Sequence, residues 1–260
     1  FGADPNDSDS DNDGLPDGWE ASGGLDLLSD DASDDLDLDG FSNEEEFVAA
    51  TNPGDATSGP SAVYVDDDGS FIGTGIYADP FPYIQWGIDE AVSGERIVVL
   101  PGNYDTVKDR NLDTGGKAIM IKSVGGAGLT IINCKSMGRG FICDSGENTN
   151  TIIEGFTIKN AINGGLHISN ASPEIADCII EDNEGGGAVL YESSALFENC
   201  VFLNNASNGV NADANSDLAF NNCTFYGNAT NGIYCDVDSQ VALQNCIVWS
   251  NSLTLRDTGD

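Results

Sequence analysis

The twelve residues DSDNDGLPDGWE, positions 9–20, carry five carboxylates and no Lys or Arg. Like charge packed this densely calls for a cation from outside the chain. The spacing says which kind. Aspartates at 9, 11 and 13, a glycine at 14 and a glutamate at 20 match a calcium loop of the form D-x-[DN]-x-[DN]-G-x₅-E. In such a loop Asp9, Asp11 and Asp13 offer carboxylate oxygens and Leu15 its main-chain carbonyl. Asp17 offers a direct or water-mediated oxygen, and Glu20 a bidentate carboxylate. The stretch DLDLDGFSNEEE, 35–46, repeats the pattern 26 residues on. There Asp35, Asp37, Asp39, Phe41, Asn43 and Glu46 take the same roles, with Gly40 at the turn. Every donor is a hard oxygen. Ca²⁺ takes six to eight of these at about 2.3–2.6 Å, so Ca²⁺ is the expected ligand.

The strings DGLPDGWE and DGFSNEEEF…TNP resemble calcium repeats of the thrombospondin type 3 kind, found in many secreted bacterial proteins, over residues 4–56. The first loop departs from a calcium sensor at one point. Position 8, which pairs two sensor loops through the backbone, is Pro16, and proline has no N–H to donate. The sites therefore read as structural staples rather than an opening switch.

Charge sets the frame around these loops. The chain has 260 residues, 44 acids against 9 bases, and a net charge of −35. Residues 1–60 hold 18 of the acids and none of the bases. The asymmetry marks two regions, an acidic head at 1–58 and a body at 59–260. Nucleic acid is an unsuitable partner, because neutralising phosphates takes the Lys and Arg that this chain lacks. An anionic membrane surface is disfavoured for the same reason. No apolar run approaches the ~20 residues of a membrane span, and no charged-then-apolar signal peptide opens the sequence, so one, if it existed, has already been removed. The acidity and the calcium loops together point to a secreted or cell-surface location.

The body repeats. Cys134, Phe156, Cys178, Cys200, Cys223 and Cys246 follow one another at intervals of 22, 22, 22, 23 and 23, a period that signals a solenoid. Apolar residues recur three before each mark (Ile131, Ile153, Ile175, Phe197, Phe220, Leu243) and two after the last five (Ile158, Ile180, Phe202, Phe225, Val248). That spacing describes two short strands with alternate residues inward, joined by a two-residue bend. The second bend residue is Asn133, Gly155, Asp177, Asn199, Asn222 or Asn245, all types that tolerate a left-handed backbone. A third strand follows a glycine turn, with Phe141/Cys143, Leu166/Ile168, Ala188/Leu190, Val210/Ala212 and Ile233/Cys235 inward. Three short strands per repeat make a parallel β-helix of triangular section. About eight coils at ~4.8 Å each predict a solenoid roughly 40 Å long.

This pattern resembles the pectin-lyase-like right-handed β-helix over residues 61–251, and the fold class is all-β. The segment YIQWGIDEAVSGERIVVLPGNY, 83–104, resembles that family's opening element, an amphipathic helix near 82–93 that caps the first coil and leads into a strand. Ile84, Ile88, Ala91 and Val92 would face the core.

Chemistry in the body is sparser. The stacked cysteines read as free thiols behaving like small apolar residues. His167, the lone histidine, lies outward on the third strand in line with Val189, Asn211 and Tyr234, beside a second column of Ser169, Tyr191, Asp213 and Asp236. That face suits stacking and hydrogen bonding to a sugar, and Asp213 and Asp236 have the spacing of a retaining glycosidase pair. The family resemblance implies polysaccharide lyases and polygalacturonases, and lyases of this fold use a basic residue, often beside calcium. Six of the nine bases fall between 108 and 139: Lys108, Arg110, Lys117, Lys122, Lys135 and Arg139. No stretch matches the polygalacturonase motifs. Glycosylation sequons occur at Asn170, Asn205, Asn222 and Asn228.

After Trp249 the sequence holds no amphipathic helix to cover the last coil, so either the chain is a fragment of a longer protein or a partner covers that end, and a second copy, head to tail, would give a filament. The leading expectation is thus an extracellular, calcium-stabilised structural or adhesive β-helix that self-assembles. The alternative is a carbohydrate-active module, either a lyase or hydrolase or a glycan binder.

Overall fold

The computed structural model describes residues 7–257, with side chains up to 252. It divides into two compact units whose boundary falls between Ala62 and Val63, a few residues beyond the sequence-based boundary at 58. Among the described residues, no helix is long and apolar enough to cross a membrane.

The first unit is built on two seven-residue helices, α1 (Asp17–Gly23) and α2 (Asn43–Ala49), each following one acidic loop. Pro16 is the N-cap of α1, where a missing N–H costs nothing. Ser42 and Glu45 form a reciprocal capping box at the start of α2. Leu15, Leu25 and Ala32 are buried together beneath Trp19 and Phe47, whose rings meet edge to face at 5.2 Å. This is a small core, so the acidic loops need support beyond apolar burial.

The second unit is an all-β, right-handed parallel β-helix. Among the described residues its first sheet has eight strands, from Ala62–Val65 to Gln240–Gln244. The second has seven, from Gly102–Tyr104 to Ile247–Trp249. The third also has seven, from Leu112–Asp113 to Leu253–Asp257. Leu166 pairs with Ala188, Ala188 with Val210 and Val210 with Ile233, so a coil takes 22 or 23 residues. Inward residues of strands two to five residues long stack into one continuous core. Phe197 lies flat on Phe220 at 4.7 Å, and Phe202 on Phe225 at 5.0 Å. The predicted bend holds from the second mark onward. Gly155, Asp177, Asn199, Asn222 and Asn245 have φ of 84°, 51°, 53°, 56° and 54°.

The first mark is out of phase. Cys134 follows a second-sheet strand, Thr130–Asn133, whereas Phe156 precedes the neighbouring second-sheet strand, Thr157–Lys159. Ile131 is consequently half exposed and Ile132 takes the inward place. The connection from Met120–Ser123 to Thr130–Asn133 is six residues long instead of two, and this wider corner moves the chain out of register while preserving a chance interval of 22. Leu243 keeps its column but is 37% exposed on the last coil.

A buried asparagine ladder runs along the corner between the second and third sheets. Asn183, Asn205 and Asn228 are at most 1% exposed. Each Nδ2 donates to the Oδ1 of the next rung: Asn183 to Asn205 at 3.0 Å, Asn205 to Asn228 at 2.9 Å, and Asn228 to Asn251 at 2.9 Å. Each Nδ2 also donates to a main-chain carbonyl on the preceding coil, of Ile158, Ile180 and Phe202 respectively. The sequon residues Asn205 and Asn228 are therefore ladder rungs with no room for a glycan.

All seven cysteines are free, and all but the half-buried Cys246 are buried. Cys200, Cys223 and Cys246 each point their Sγ at a carbonyl of the preceding coil, of Ile175, Phe197 and Phe220, at 3.3–3.5 Å. Burial pushes the Cys178 thiol up to about 12, so it is protonated and unreactive. Cys143 and Cys235 occupy the same column four rungs apart, as Cys143–Ile168–Leu190–Ala212–Cys235.

The capping helix is α3, Ile84–Glu90. Ile84, Ile88 and Ala91 are buried as expected, but Val92 is 62% exposed because the helix has already ended. Gly87 permits the close packing, since a Cβ there would lie 2.7 Å from Val65 Cγ2. Lys117 closes the helix end. Its Nζ donates to the carbonyls of Ile88, Asp89 and Ala91 at 2.7–2.9 Å, where a cation meets the negative end of the helix.

One buried acid gives a pH prediction. Glu147 is 2% exposed and accepts from Thr114 Oγ1 at 2.6 Å and from the amides of Gly116 and Ser145 at 2.9 and 3.0 Å. Burial raises its pKa, but these bonds outweigh burial and leave it below the ordinary glutamate value. A depressed carboxyl stabilises the fold above its unfolded pKa, and the contribution fades as pH falls through the folded value. Glu147→Gln is expected to cost about 2 kcal/mol at pH 7, with the difference closing as pH falls below about 4. Urea denaturation at pH 7 and pH 3 checks this, and an equal deficit at both would refute it.

Candidate functional site

In the head the two loops carry the same internal hydrogen bonds. Asp9 Oδ2 accepts from Gly14 N at 3.2 Å, Asp11 Oδ1 from Asp13 N at 3.3 Å, and Asp13 Oδ1 from Leu15 N at 2.8 Å. Asp35, Asp37 and Asp39 accept from the amides of Gly40, Asp39 and Phe41 at 2.9, 3.2 and 3.0 Å. Gly14 and Gly40 make the turns with φ of 98° and 97°. One oxygen of each aspartate thus shapes its loop. The second oxygens of Asp9, Asp11, Asp35 and Asp37 are buried without a hydrogen-bond partner.

Glu20 on α1 and Glu46 on α2 complete the picture. Both are fully buried, and neither carboxylate has a hydrogen-bond partner on either oxygen. Burial, then Asp11, Asp13 and Asp31, pushes Glu20 up to about 7. Burial is also the main cause for Glu46; the Thr51 hydroxyl pulls the other way, Asp39, Asp37 and Asp35 add to burial, and it too is pushed up to about 7. Burial and neighbouring like charge both disfavour the ionised acid, and a cation held among these carboxylates would offset both. The ligand oxygens of Asp9, Asp11 and Asp13 lie within 4.8 Å of one another, as do those of Asp35, Asp37 and Asp39. Such donor sets suit a hard cation of calcium's size.

Two positions add detail to the sequence expectation. Asp17 accepts from Ser10 N and Ser10 Oγ, both at 2.8 Å, and is not among the carboxylates that converge within 4.8 Å. Asp31, which sequence spacing did not single out, brings a carboxylate within 4.8 Å of those of Asp13 and Glu20, and its Oδ1 is buried without a hydrogen-bond partner. In the second loop Asn43 is fully buried, and its Oδ1 has no hydrogen-bond partner. Leu15 and Phe41 are buried in their loops.

The second candidate site is the outward face of the third sheet. Ile142, His167, Val189, Asn211 and Tyr234 form one column, and Ser169, Tyr191 and Asp213 the next. The His167 and Tyr191 rings lie 6.1 Å apart. Burial, then the charge of Arg139, holds the His167 pKa below its ordinary value, against a smaller pull from Asp144. His167 Nδ1 and Arg139 Nε are buried atoms without hydrogen-bond partners. Asp213 accepts from Asn211 Nδ2, while Asp236 accepts from Ala214 N at 2.9 Å and so ties down the turn after Asp213.

Several of the bases proposed for a lyase are otherwise engaged. Lys117 caps α3. Lys135 pairs with Asp105 at 2.8 Å and Lys122 with Glu154 at 3.4 Å. The charge of Arg139, another of that group, acts on His167.

A family model described as the right handed beta helix region matches residues 117–259. The chain belongs to the right-handed β-helix family. Among solved structures this β-helix is similar to a rhamnogalacturonan lyase, with a TM-score of 0.61, 17% identity, and 74% of this chain and 58% of that one covered. It is also similar to a pectin methylesterase from carrot, with a TM-score of 0.51, 15% identity, and 71% and 64% covered. The chain spans less than two thirds of either neighbour's length, and at these identities the likeness is one of fold. The curated proteins give no match.

Proposed function

We propose that this β-helix engages a pectic type of polysaccharide along the outward face of its third sheet, and that two Ca²⁺ ions fasten its acidic head outside the cell. The observation that carries the first part is the outward pair of His167 and Tyr191, whose rings lie 6.1 Å apart with Tyr191 38% exposed. An aromatic ring suits a sugar face, and an imidazole suits a sugar hydroxyl. The two solved structures described above carry the names of a rhamnogalacturonan lyase and a pectin methylesterase. This supports a carbohydrate-directed role over the self-assembling structural or adhesive role that the sequence first suggested. The turn-fixing bond of Asp236 favours binding over a paired-carboxylate hydrolysis.

The test is titration of rhamnogalacturonan and galacturonan fragments into the full chain by calorimetry, with absorbance of unsaturated sugar followed in parallel. His167→Ala and Tyr191→Ala are each expected to weaken binding about tenfold. Equal affinity in the double variant would reject the site. The calcium part rests on Glu20 and Glu46, two buried acids surrounded by carboxylates. In this reading Asp9, Asp11, Asp13 and Glu20 hold one ion, and Asp35, Asp37, Asp39, Asn43 and Glu46 the other.

A further inference from the structure

One hydrogen bond in the head joins the two acidic clusters. Asn43 Nδ2 donates to the main-chain carbonyl of Asp31 at 2.8 Å. The other end of the Asn43 amide, Oδ1, is fully buried without a hydrogen-bond partner, at the position of the second loop that supplies a ligand. The Asp31 carboxylate converges with Asp13 and Glu20 of the first cluster. We infer that Asp31 is a ligand of the first cation site, and that the Asn43–Asp31 bond makes the two sites fill cooperatively. This rests on the proposed reading that the head binds Ca²⁺.

Asp31 is held for that task from several sides. Its N–H donates to Asp13 Oδ2 at 3.2 Å, and its Oδ2 accepts from Asp26 N at 3.2 Å. This leaves Oδ1 for the cation. The following residues are clasped to the start of α2, with Asn43 N donating to Asp34 O at 2.8 Å and Glu44 N to Ala32 O at 2.9 Å. A cation at the second site orients Oδ1 of Asn43, and because the amide is planar the same event aims Nδ2 at the Asp31 carbonyl. Ordering that carbonyl places the Asp31 carboxylate for the first ion. The coupling runs equally in reverse, since linkage is reciprocal. The usual backbone bridge between paired loops is blocked at Pro16, so a side chain carries the connection.

The experiment is calorimetric titration of the decalcified full chain with CaCl₂. The wild type is expected to bind two ions with positive cooperativity, each site gaining roughly fivefold in affinity when the other is filled. Asn43→Asp keeps a ligand oxygen and deletes the donor, so it should bind two ions in independent steps. Asp31→Asn should weaken the first site, whereas Asp30→Asn, at the neighbouring exposed position, should leave it unchanged. A second measurement does not depend on Asn43. Glu20→Gln should lower second-site affinity by the same factor that Glu46→Gln lowers first-site affinity. Cooperativity that survives in Asn43→Asp, or a factor of one in both glutamine variants, overturns the inference while leaving calcium binding intact. A wild type that binds no Ca²⁺ overturns the inference and the calcium reading together.

Discussion

Replacing Glu20 and Glu46 together by glutamine is expected to abolish tight Ca²⁺ binding by the head. Glutamine keeps the size of each side chain and one carbonyl oxygen but removes the charge and the bidentate grip. Both acids are fully buried, with no hydrogen-bond partner on either oxygen. Removing one partner of such a buried charge pair costs about 3 kcal/mol or more, roughly a hundredfold in affinity for each site. The reverse effect should appear without calcium. There the double variant should be the more stable protein, because burial and the neighbouring aspartates no longer act on a buried acid pushed to about 7. Calorimetry with CaCl₂ and hydrogen exchange over α1 and α2, with and without chelator, measure the two arms. Unchanged binding heat in the double variant would refute the assignment.

The second large effect belongs to the asparagine ladder. Asn205→Leu fills the same space but strips four hydrogen bonds from a fully buried corner. Asn183 loses the acceptor for its N–H and its Nδ2, at 3.1 and 3.0 Å, while Ile180 O and Asn228 Oδ1 each lose a donor. Unpaired buried groups cost about 1–3 kcal/mol each, so a loss of about 4 kcal/mol is expected. Asn222, on the exposed bend one corner away, donates to Asn199 Oδ1 at 3.2 Å. Its replacement by Ser should cost about 1 kcal/mol. Urea denaturation followed by far-ultraviolet dichroism separates the two, and equal losses would show that the inner ladder carries no special share of the stability.

Much of the β-helix was legible because each coil repeats a local constraint. Asp177, Asn199, Asn222 and Asn245 mark left-handed bends that few other residues accept. Alternate apolar residues fix which face turns inward. The reading failed where spacing and geometry part company. Cys134 sits at the right interval for the wrong reason, because a six-residue corner before Thr130–Asn133 supplies the extra length. The inner ladder had its signal in plain view, asparagines at 183, 205, 228 and 251. It was masked by the abundance of asparagine at the neighbouring bends. In the head, loop spacing located the aspartates and glutamates that converge. It could not find Asp31, which lies among Asp26, Asp30 and Asp34 in a stretch where only tertiary contact singles out one carboxylate. The patch of bases looked uniform in sequence, whereas folding assigns Lys117 to a helix end and Lys135 to Asp105.

The buried rungs at Asn205 and Asn228 also bear on where such a chain can be made. Both head an acceptor tripeptide, Asn-Ala-Ser and Asn-Ala-Thr, that an oligosaccharyltransferase would meet on the nascent, unfolded chain. At that moment nothing distinguishes them from surface sites. A sugar added there could be accommodated only outside the coil, and each amide it occupies is one that must donate twice inside the corner. The modification and the fold therefore compete for the same nitrogen, and whichever comes first excludes the other. A secretory route that glycosylates during translocation gives the sugar the first turn, whereas a route without that enzyme leaves both nitrogens to the ladder.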